Sequence, residues 1–256
     1  MASNDPRFSI GAPYTGARAG APAIDQGLRA FMLAVYNLMT FGVALTGLVA
    51  LGTYMLSAIE VDGQLTGLTA FGQALYFSPL KWVVMLAPIG VGMWLAVGFE
   101  RMTASTARVM FFVYAALIGL SLSTIFLVFT HGSIARVFFI SAASFGALSL
   151  YGYTTKRNLS ALGSFLGMGV IGLFIAIIVN MIFPSGMLTF LISVVGVFVF
   201  AGMTAYDTQT LKSMYLEGGY DREQGNKLAI FGALKLYLDF INLFIFLMQL
   251  LGDRRG

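Results

Sequence analysis

Seven apolar segments, each about as long as a membrane is thick, constrain this chain more than any other feature. A helix that crosses a hydrocarbon layer of roughly 30 Å needs about 20 mostly apolar residues. The apolar runs are continuous rather than alternating, which excludes a β-barrel. We therefore predict an all-α membrane protein with seven transmembrane helices, numbered here as predicted spans one to seven. The segments lie at 30–55, 80–99, 107–130, 134–153, 161–183, 187–207 and 228–251.

The composition supports this prediction and leaves no room for a second domain. Of 256 residues, 58% are hydrophobic and 10% are charged, whereas a soluble domain has about 45–50% apolar and about 25% charged residues. Seven helices of about 22 residues fill about 60% of the chain. We predict one transmembrane domain at 28–252 and a short C-terminal tail at 253–256. Residues 1–27, rich in Gly, Ala and Pro, are predicted to be a disordered cytoplasmic tail.

The residue types exclude several classes of chemistry. The chain has no Cys and a single His, which removes disulfides, iron–sulfur clusters and thiolate zinc sites. His131 falls in a predicted external loop, where we expect it to be solvated. We expect no tightly bound cofactor, and any metal ion must be a hard cation held by oxygen. The net charge of +4 is spread over loops, so nucleic acid is not an expected partner and the lipid bilayer is.

Lysine and arginine residues predict the orientation in a cell (inner) membrane. With a cytoplasmic N-terminus, ten of them fall on the cytoplasmic side and four on the other. The positive-inside rule favours this arrangement and an external C-terminus. Two connecting segments are longer than the rest. Residues 56–79 are predicted to lie in the membrane interface, and 208–227 to form a solvated, partly helical loop.

Three ionisable residues occur within or at the ends of the predicted spans. Asp207 ends span six near the cytoplasmic margin, and Lys235 and Asp239 lie in span seven. Asp239 is about 17 Å along that helix, close to the membrane midplane. A charge at such a depth costs about 2.5–3.5 kcal/mol, which suggests a function. The alternative is structural: Lys235 and Asp239 are four residues apart and could neutralise one another as an ion pair.

Other polar and small residues in the spans have structural interpretations. Asn242 lies on nearly the same face as Asp239 and adds an amide oxygen. Asn180 in span five is expected to hydrogen-bond between helices. A group of glycines in span five predicts close helix packing. These are Gly163, Gly167, Gly169 and Gly172.

Three segments resemble the Bax inhibitor-1 family, in its bacterial branch of small seven-helix membrane proteins. They are ALKLYLDFINLFIFLMQLLG at 233–252, AGMTAYDTQTLK at 201–212 and YGYTTKRNLSALGSFLGMGVIGL at 151–173. The YDTQ and LYLDFINLF sequences are specific, and their order and helix placement fit. The resemblance covers 28–251. It implies six helices packed around a central seventh and a multi-pass protein that acts as a pH-sensitive calcium leak.

The resemblance also implies roles for individual residues. Asp207 and Asp239 match a pair of aspartates that senses pH and lines the ion path. Arg101 matches, by position, an arginine that latches the pair in a closed state. Asn158 stands where an acidic residue is common, and Lys235 places an ammonium group one turn from Asp239, where it could compete with a cation.

The chemistry of two neighbouring carboxylates suits such a leak. Two carboxyl groups a few ångströms apart share a proton and titrate as a unit, which makes them a pH sensor. Calcium prefers six to eight oxygen ligands, so two aspartates with an amide and water would bind it weakly. Weak binding lets an ion leave, as conduction requires.

The sequence also bears on three functions other than a calcium leak. Intramembrane aspartyl proteases also carry YD on one helix and Asp on the next, but the Gly-x-Gly before the second Asp and a later Pro-Ala-Leu are missing here. We therefore expect no enzymatic activity. A non-transporting regulator that binds a membrane protease or stress-response partner is the main alternative. A proton-coupled transporter lacks support, because we find no inverted repeat or pair of broken helices.

Overall fold

The computed structural model describes residues 21–61, 64–218 and 221–255. Seven helices within these residues are long and apolar enough to cross a membrane, which confirms the predicted all-α multi-pass fold. The elements are α1 (Ala21–Ser57), β1 (Ala58–Val61), β2 (Gln64–Leu68), α2 (Ala70–Phe77), α3 (Leu80–Gly98), a 3-10 turn (Phe99–Arg101), α4 (Ala104–Leu122), α5 (Ile125–Val128), α6 (His131–Thr154), α7 (Ser160–Ile182), α8 (Gly186–Glu217) and α9 (Arg222–Leu251).

Helix α9 forms the centre of the bundle. In the most apolar stretch of each span, 61% of the residues of α9 are buried, against 11–28% in the other six spans. It packs against α1, α4, α6 and α8, while α3 packs mainly on α4 and α7 mainly on α8. The outward faces carry many exposed Leu, Ile, Val and Phe side chains. In a chain with seven spans, such faces are covered by lipid.

Two helix boundaries differ from the sequence prediction. Helix α1 begins at Ala21, inside the predicted tail; residues 1–20 lie outside the described residues. Helix α8 continues to Glu217, so the first half of the predicted 208–227 loop is helical. The sequence from 207 to 217 has no Gly or Pro, and Gly218 is the first residue that favours a helix end. Asp207 therefore lies about 15 Å before the end of α8 rather than at its end.

The segment at 56–79 is more ordered than predicted. It forms an antiparallel hairpin of β1 and β2, with a bulge between Ile59 and Glu60, followed by the short helix α2. The predicted third span is divided, because the short α5 follows α4 after Ser123 and Thr124. His131, predicted to lie in a loop, is the first residue of α6.

Connections at the two ends of the bundle are tied by hydrogen bonds. We call the end that holds the start of α9 the proximal end, and the end that holds Gly252–Arg255 the distal end. At the proximal end, Ala104 N donates to Glu223 Oε1 at 2.7 Å, and Lys227 Nζ donates to the Glu100 carbonyl at 2.8 Å. These bonds join the turn between α3 and α4 to the first turns of α9.

At the distal end the C-terminal residues are clamped to the bundle. Asp253 O accepts from Thr130 N at 3.0 Å, and Arg255 N donates to Val128 O at 2.9 Å. The Arg255 guanidinium pairs with Glu60 Oε1 at 2.9 Å and lies 3.1 Å from His131 Nε2. We call this group the distal clamp. Although exposed, His131 therefore contacts other side chains.

Glycines allow close approach at some of the predicted positions and not at others. A Cβ on Gly163 would lie 2.3 Å from the Tyr206 ring, so α7 and α8 pack closely there. A Cβ on Gly169 would meet Val199 at 3.1 Å. Gly167 and Gly172 would meet nothing within 4 Å. The prediction of close packing is therefore wrong for the last two.

Candidate functional site

The two aspartates singled out by the sequence lie in the interior of the bundle. Asp207 on α8 is 2% exposed and Asp239 on α9 is 4% exposed. Helices α8 and α9 pack extensively against each other. Lys235 contacts Asp207 across the interface of the two helices and lies one turn before Asp239 on α9. The three ionisable groups thus belong to one electrostatic cluster, which we call the α8–α9 cluster.

Lys235 binds the aspartate of the neighbouring helix. Its Nζ donates to Asp207 Oδ1 at 2.7 Å, and the lysine side chain is 31% exposed. The ion pair with Asp239, four residues along α9, which was the structural alternative, is therefore not the one formed. Side chains on a helix tilt toward its N-terminus, which carries the long lysine chain away from Asp239. The interior position of Asp207 on the longer α8 supplies the partner instead.

Asp239 is left with an unsatisfied oxygen. Its Oδ2 is buried and has no hydrogen-bond partner among the described residues. An unpaired buried polar atom costs about 1–3 kcal/mol, so in native proteins such atoms tend to mark functional positions or unobserved ligands. The cluster therefore contains one carboxyl that is neutralised by a lysine and one that is not.

Hydroxyl groups lead from the cluster to the outer helices. Thr208, next to Asp207, lies 2.9 Å from Ser149 Oγ on α6, and Ser149 lies 2.6 Å from the Tyr36 hydroxyl on α1. A second group joins α1 to α9, where Thr46 Oγ1 lies 2.7 Å from the Tyr237 hydroxyl. These contacts hold α1, α6, α8 and α9 together around the aspartates.

Two other predicted site residues, Arg101 and Asn242, form no hydrogen bond with the α8–α9 cluster within the described residues. Arg101 ends the 3-10 turn after α3 and is exposed. Within the described residues, no hydrogen bond or ion pair joins it to Asp207 or Asp239. Asn242 donates from Nδ2 to the Leu238 carbonyl of its own helix at 2.8 Å. Asn180 bridges α7 and α8 through Thr189 Oγ1 at 2.9 Å, as an inter-helix contact.

Gln209, the last residue of the YDTQ sequence, has a positioning role that sequence reasoning missed. Its Oε1 accepts from Leu159 N and its Nε2 donates to Arg157 O, both at 2.8 Å. It therefore fixes the connection between α6 and α7 to α8, two residues after Asp207. Its position within the specific YDTQ sequence was the signal from which this role could have been predicted.

The cluster offers few ligands for a metal ion and little access to water. Within the described residues, no group of three or more His, Cys, Asp or Glu side chains is placed to hold a metal. Two carboxylates supply at most four oxygens, fewer than calcium prefers. Because both aspartates are almost fully buried, their carboxyl groups are shielded from bulk water in this conformation.

Comparisons with known proteins agree with the fold. The family described as "Inhibitor of apoptosis-promoting Bax1" matches residues 28–256. An uncharacterized protein of Rickettsia prowazekii is 48% identical over 231 residues, covering 90% of this chain and 92% of its own length. "Inner membrane protein YbhL" of Escherichia coli is 41% identical over 230 residues, covering 90% and 94%. This multi-pass membrane protein therefore belongs to the Bax inhibitor-1 family.

Proposed function

We propose that this protein is a pH-sensitive leak for calcium, with the α8–α9 cluster as its gate. The observation that carries the proposal is the buried Asp207–Lys235 pair next to a carboxyl oxygen of Asp239 that has no partner. Placing an ion pair inside a bundle costs desolvation free energy, so its presence there suggests a function. Asp207 and Asp239 bind the passing ion weakly, and no tightly bound cofactor and no enzymatic step are involved.

Lys235 acts in this proposal as a tethered cation. Its ammonium occupies Asp207 Oδ1 at 2.7 Å, where a permeating cation would need the same oxygen. The path is closed while the ammonium stays there. The lysine is partly exposed, so its head group can withdraw toward water along its flexible chain. A calcium ion then meets two carboxyl groups, and the proton that they share sets the pH dependence.

We further propose an inner-membrane location with the proximal end in the cytoplasm. The E. coli relative bears the name of an inner membrane protein. Within the described residues, eight Lys and Arg lie toward the proximal end of the bundle and four toward the distal end. Reporter fusions after Arg157 and Lys227 should read cytoplasmic, and fusions after Gly132 and Arg255 should read external. A cytoplasmic reading after Arg255 would contradict the orientation.

A calcium flux assay in liposomes tests the proposed leak. The purified protein should release calcium with a pronounced dependence on pH. Asp239→Asn should remove most of that dependence, because one carboxyl then titrates alone. The Asp207→Asn, Lys235→Met double variant should do the same without leaving a buried lysine unpaired. Combining all three changes should add little, since the groups act as a unit.

Glu217→Gln provides the matched control, since it removes an exposed carboxylate from the same helix α8. It should keep the wild-type curve of flux against pH. A wild-type curve from the variant that lacks both aspartates would show that Asp207 and Asp239 are structural. No calcium movement by the wild-type protein would contradict the leak itself.

A non-transporting regulator of a membrane protease or stress-response partner is the second candidate function. The same ion pair favours it, because Lys235 neutralises Asp207 and both aspartates are shielded from water. A purely structural pair would look the same in this conformation. Absence of flux in liposomes, together with co-purification of a membrane protease from native membranes, would favour this candidate.

A further inference from the structure

A long groove opens on the lipid-facing side of the bundle between α1 and α6. Both helices pack against α9 and α8 but make few contacts with each other. The groove has a volume of about 680 Å³, and Phe240 of α9 forms part of its floor. Its lining includes Met32, Leu33 and Phe145, together with Gly146.

The polarity of the groove changes along its length. At the proximal end its walls carry Arg29 of α1 and Tyr153 of α6. Val43, the farthest α1 residue that lines the groove, lies fourteen residues after Arg29, or about 21 Å along the helix. That far end is apolar. A charged mouth at the membrane surface that leads into an apolar interior matches the shape of a lipid: a head group outside and an acyl chain inside.

The charge at the mouth favours an anionic head group. Arg29 is exposed there. Lys212 contacts Tyr153 of the groove wall: its Nζ donates to the Tyr153 carbonyl at 2.8 Å and lies 5.0 Å from the Tyr153 ring. No carboxylate is among the described residues that line the groove. A basic site between transmembrane helices is a recurrent place for acidic lipid head groups.

A second hollow extends the groove toward the distal end. It has a volume of about 450 Å³ and shares Val43, Phe138 and Phe240 with the first. An acyl chain that enters between α1 and α6 therefore has apolar space beyond the first hollow.

We propose that the groove between α1 and α6 is a binding site for one anionic phospholipid from the leaflet at the proximal end, with its phosphate at Arg29 and an acyl chain along Phe145 and Phe240. The groove is lined by none of the three residues of the α8–α9 cluster, although Tyr36 and Ser149 of its wall are linked by hydrogen bonds to Thr208, next to Asp207. It does not depend on whether the protein transports ions.

Gly146 allows the groove to be blocked without disturbing the core. A Cβ at this exposed position would meet nothing within 4 Å, so the leucine of Gly146→Leu can fill the groove instead of displacing packed atoms. Gly172→Leu is the matched control, because Gly172 is also exposed, helical and free of neighbours within 4 Å, but lies on α7.

Native mass spectrometry of the detergent-purified full chain tests the proposal, with phosphatidylglycerol and phosphatidylcholine as probes. The wild-type protein should retain one phosphatidylglycerol about fivefold more than phosphatidylcholine. Gly146→Leu should lose this retention and Gly172→Leu should keep it. Arg29→Gln should bring the two lipids close to equal retention. Arg222→Gln, which removes an exposed charge near the start of α9, should keep the preference.

A photoreactive benzophenone amino acid in place of Gly146 identifies the occupant in native membranes. Cross-linking to phospholipid would support the site. Cross-linking to a peptide from residues 1–20 of the same chain would show that the groove holds the N-terminal segment and would overturn the proposal. Equal lipid retention by Gly146→Leu and Gly172→Leu would overturn it as well.

Discussion

Two ion pairs, one in the bundle interior and one at the distal end, show how differently this bundle uses the same chemistry. Asp207 and Lys235 meet at 2.7 Å in the bundle interior, where the aspartate is 2% exposed. Glu60 and Arg255 meet at 2.9 Å in the distal clamp, where the glutamate is 30% exposed. The distances are nearly equal, but the interior carboxylate is far less accessible to water than the distal one.

The difference lies in what happens when each pair breaks. A buried charge that loses its partner stays in a medium of low dielectric constant, and the protein loses about 3–5 kcal/mol. An exposed charge is rehydrated at once, so its pair contributes about 0–1 kcal/mol. The interior pair can therefore control a conformational change, whereas the distal pair adds one contact to a clamp that backbone hydrogen bonds already hold.

Breaking the interior pair should have the largest effect on stability. In Lys235→Met, Asp207 loses its partner, and we expect the free energy of unfolding to fall by about 3–5 kcal/mol. Unfolding in detergent, followed by helical circular dichroism, measures the change. The calcium flux of the protein that remains folded should rise near neutral pH, because the tethered ammonium is gone.

A second substitution separates pairing from packing. Asp207→Asn in the Lys235→Met background removes the stranded carboxylate and should recover most of the lost stability. Lys156→Met, at an exposed position on the proximal side, should cost less than about 0.5 kcal/mol. Equal losses in Lys235→Met and Lys156→Met would mean that the interior pair is no stronger than a surface contact.

The distal pair should respond to pH in a smaller and predictable way. The Tyr54 hydroxyl and the Arg255 guanidinium donate hydrogen bonds to Glu60 and lower its pKa below the ordinary value. The contribution of the Glu60–Arg255 pair to stability is therefore complete above the pKa of Glu60 in the unfolded state, about 4.3. It is lost as the pH falls through the lower pKa of Glu60 in the folded state. Hydrogen exchange at the Thr130 and Arg255 amides should accelerate over that acidic range.

Glu60→Gln should abolish this acid response while costing at most about 1 kcal/mol at neutral pH. The clamp should remain formed, because Asp253 O and Val128 O still accept backbone hydrogen bonds. Release of the C-terminal residues at neutral pH would show that the ion pair is the main support of the clamp.

Arg101 should have the smallest effect. It is exposed in the turn after α3, and within the described residues it makes no ion pair with the cluster. Arg101→Ala should change calcium flux by less than about twofold, far less than Lys235→Met. A larger rise near neutral pH would indicate that Arg101 latches the aspartates in a conformation other than this one.

The sequence identified the residues of the candidate site better than their contacts. Asp207, Lys235 and Asp239 stand out because charges are rare in apolar spans, and all three belong to one cluster. The alternative pairing of Lys235 with Asp239 is not the one formed, since spacing along one helix says nothing about the neighbouring helix. The hairpin at 58–68 was missed as well, because its short strands and polar turn differ little in composition from an irregular loop.

The sequence by itself determined the seven spans and the membrane environment, because the length of each apolar run is matched to the thickness of the bilayer. It also determined which charges are costly. Only the tertiary structure decided that α8 continues ten residues beyond Asp207, that Lys235 crosses to that aspartate, and that α1 and α6 leave a groove between them. These features depend on how helices pack, and packing is set by the shapes of residues far apart in the chain.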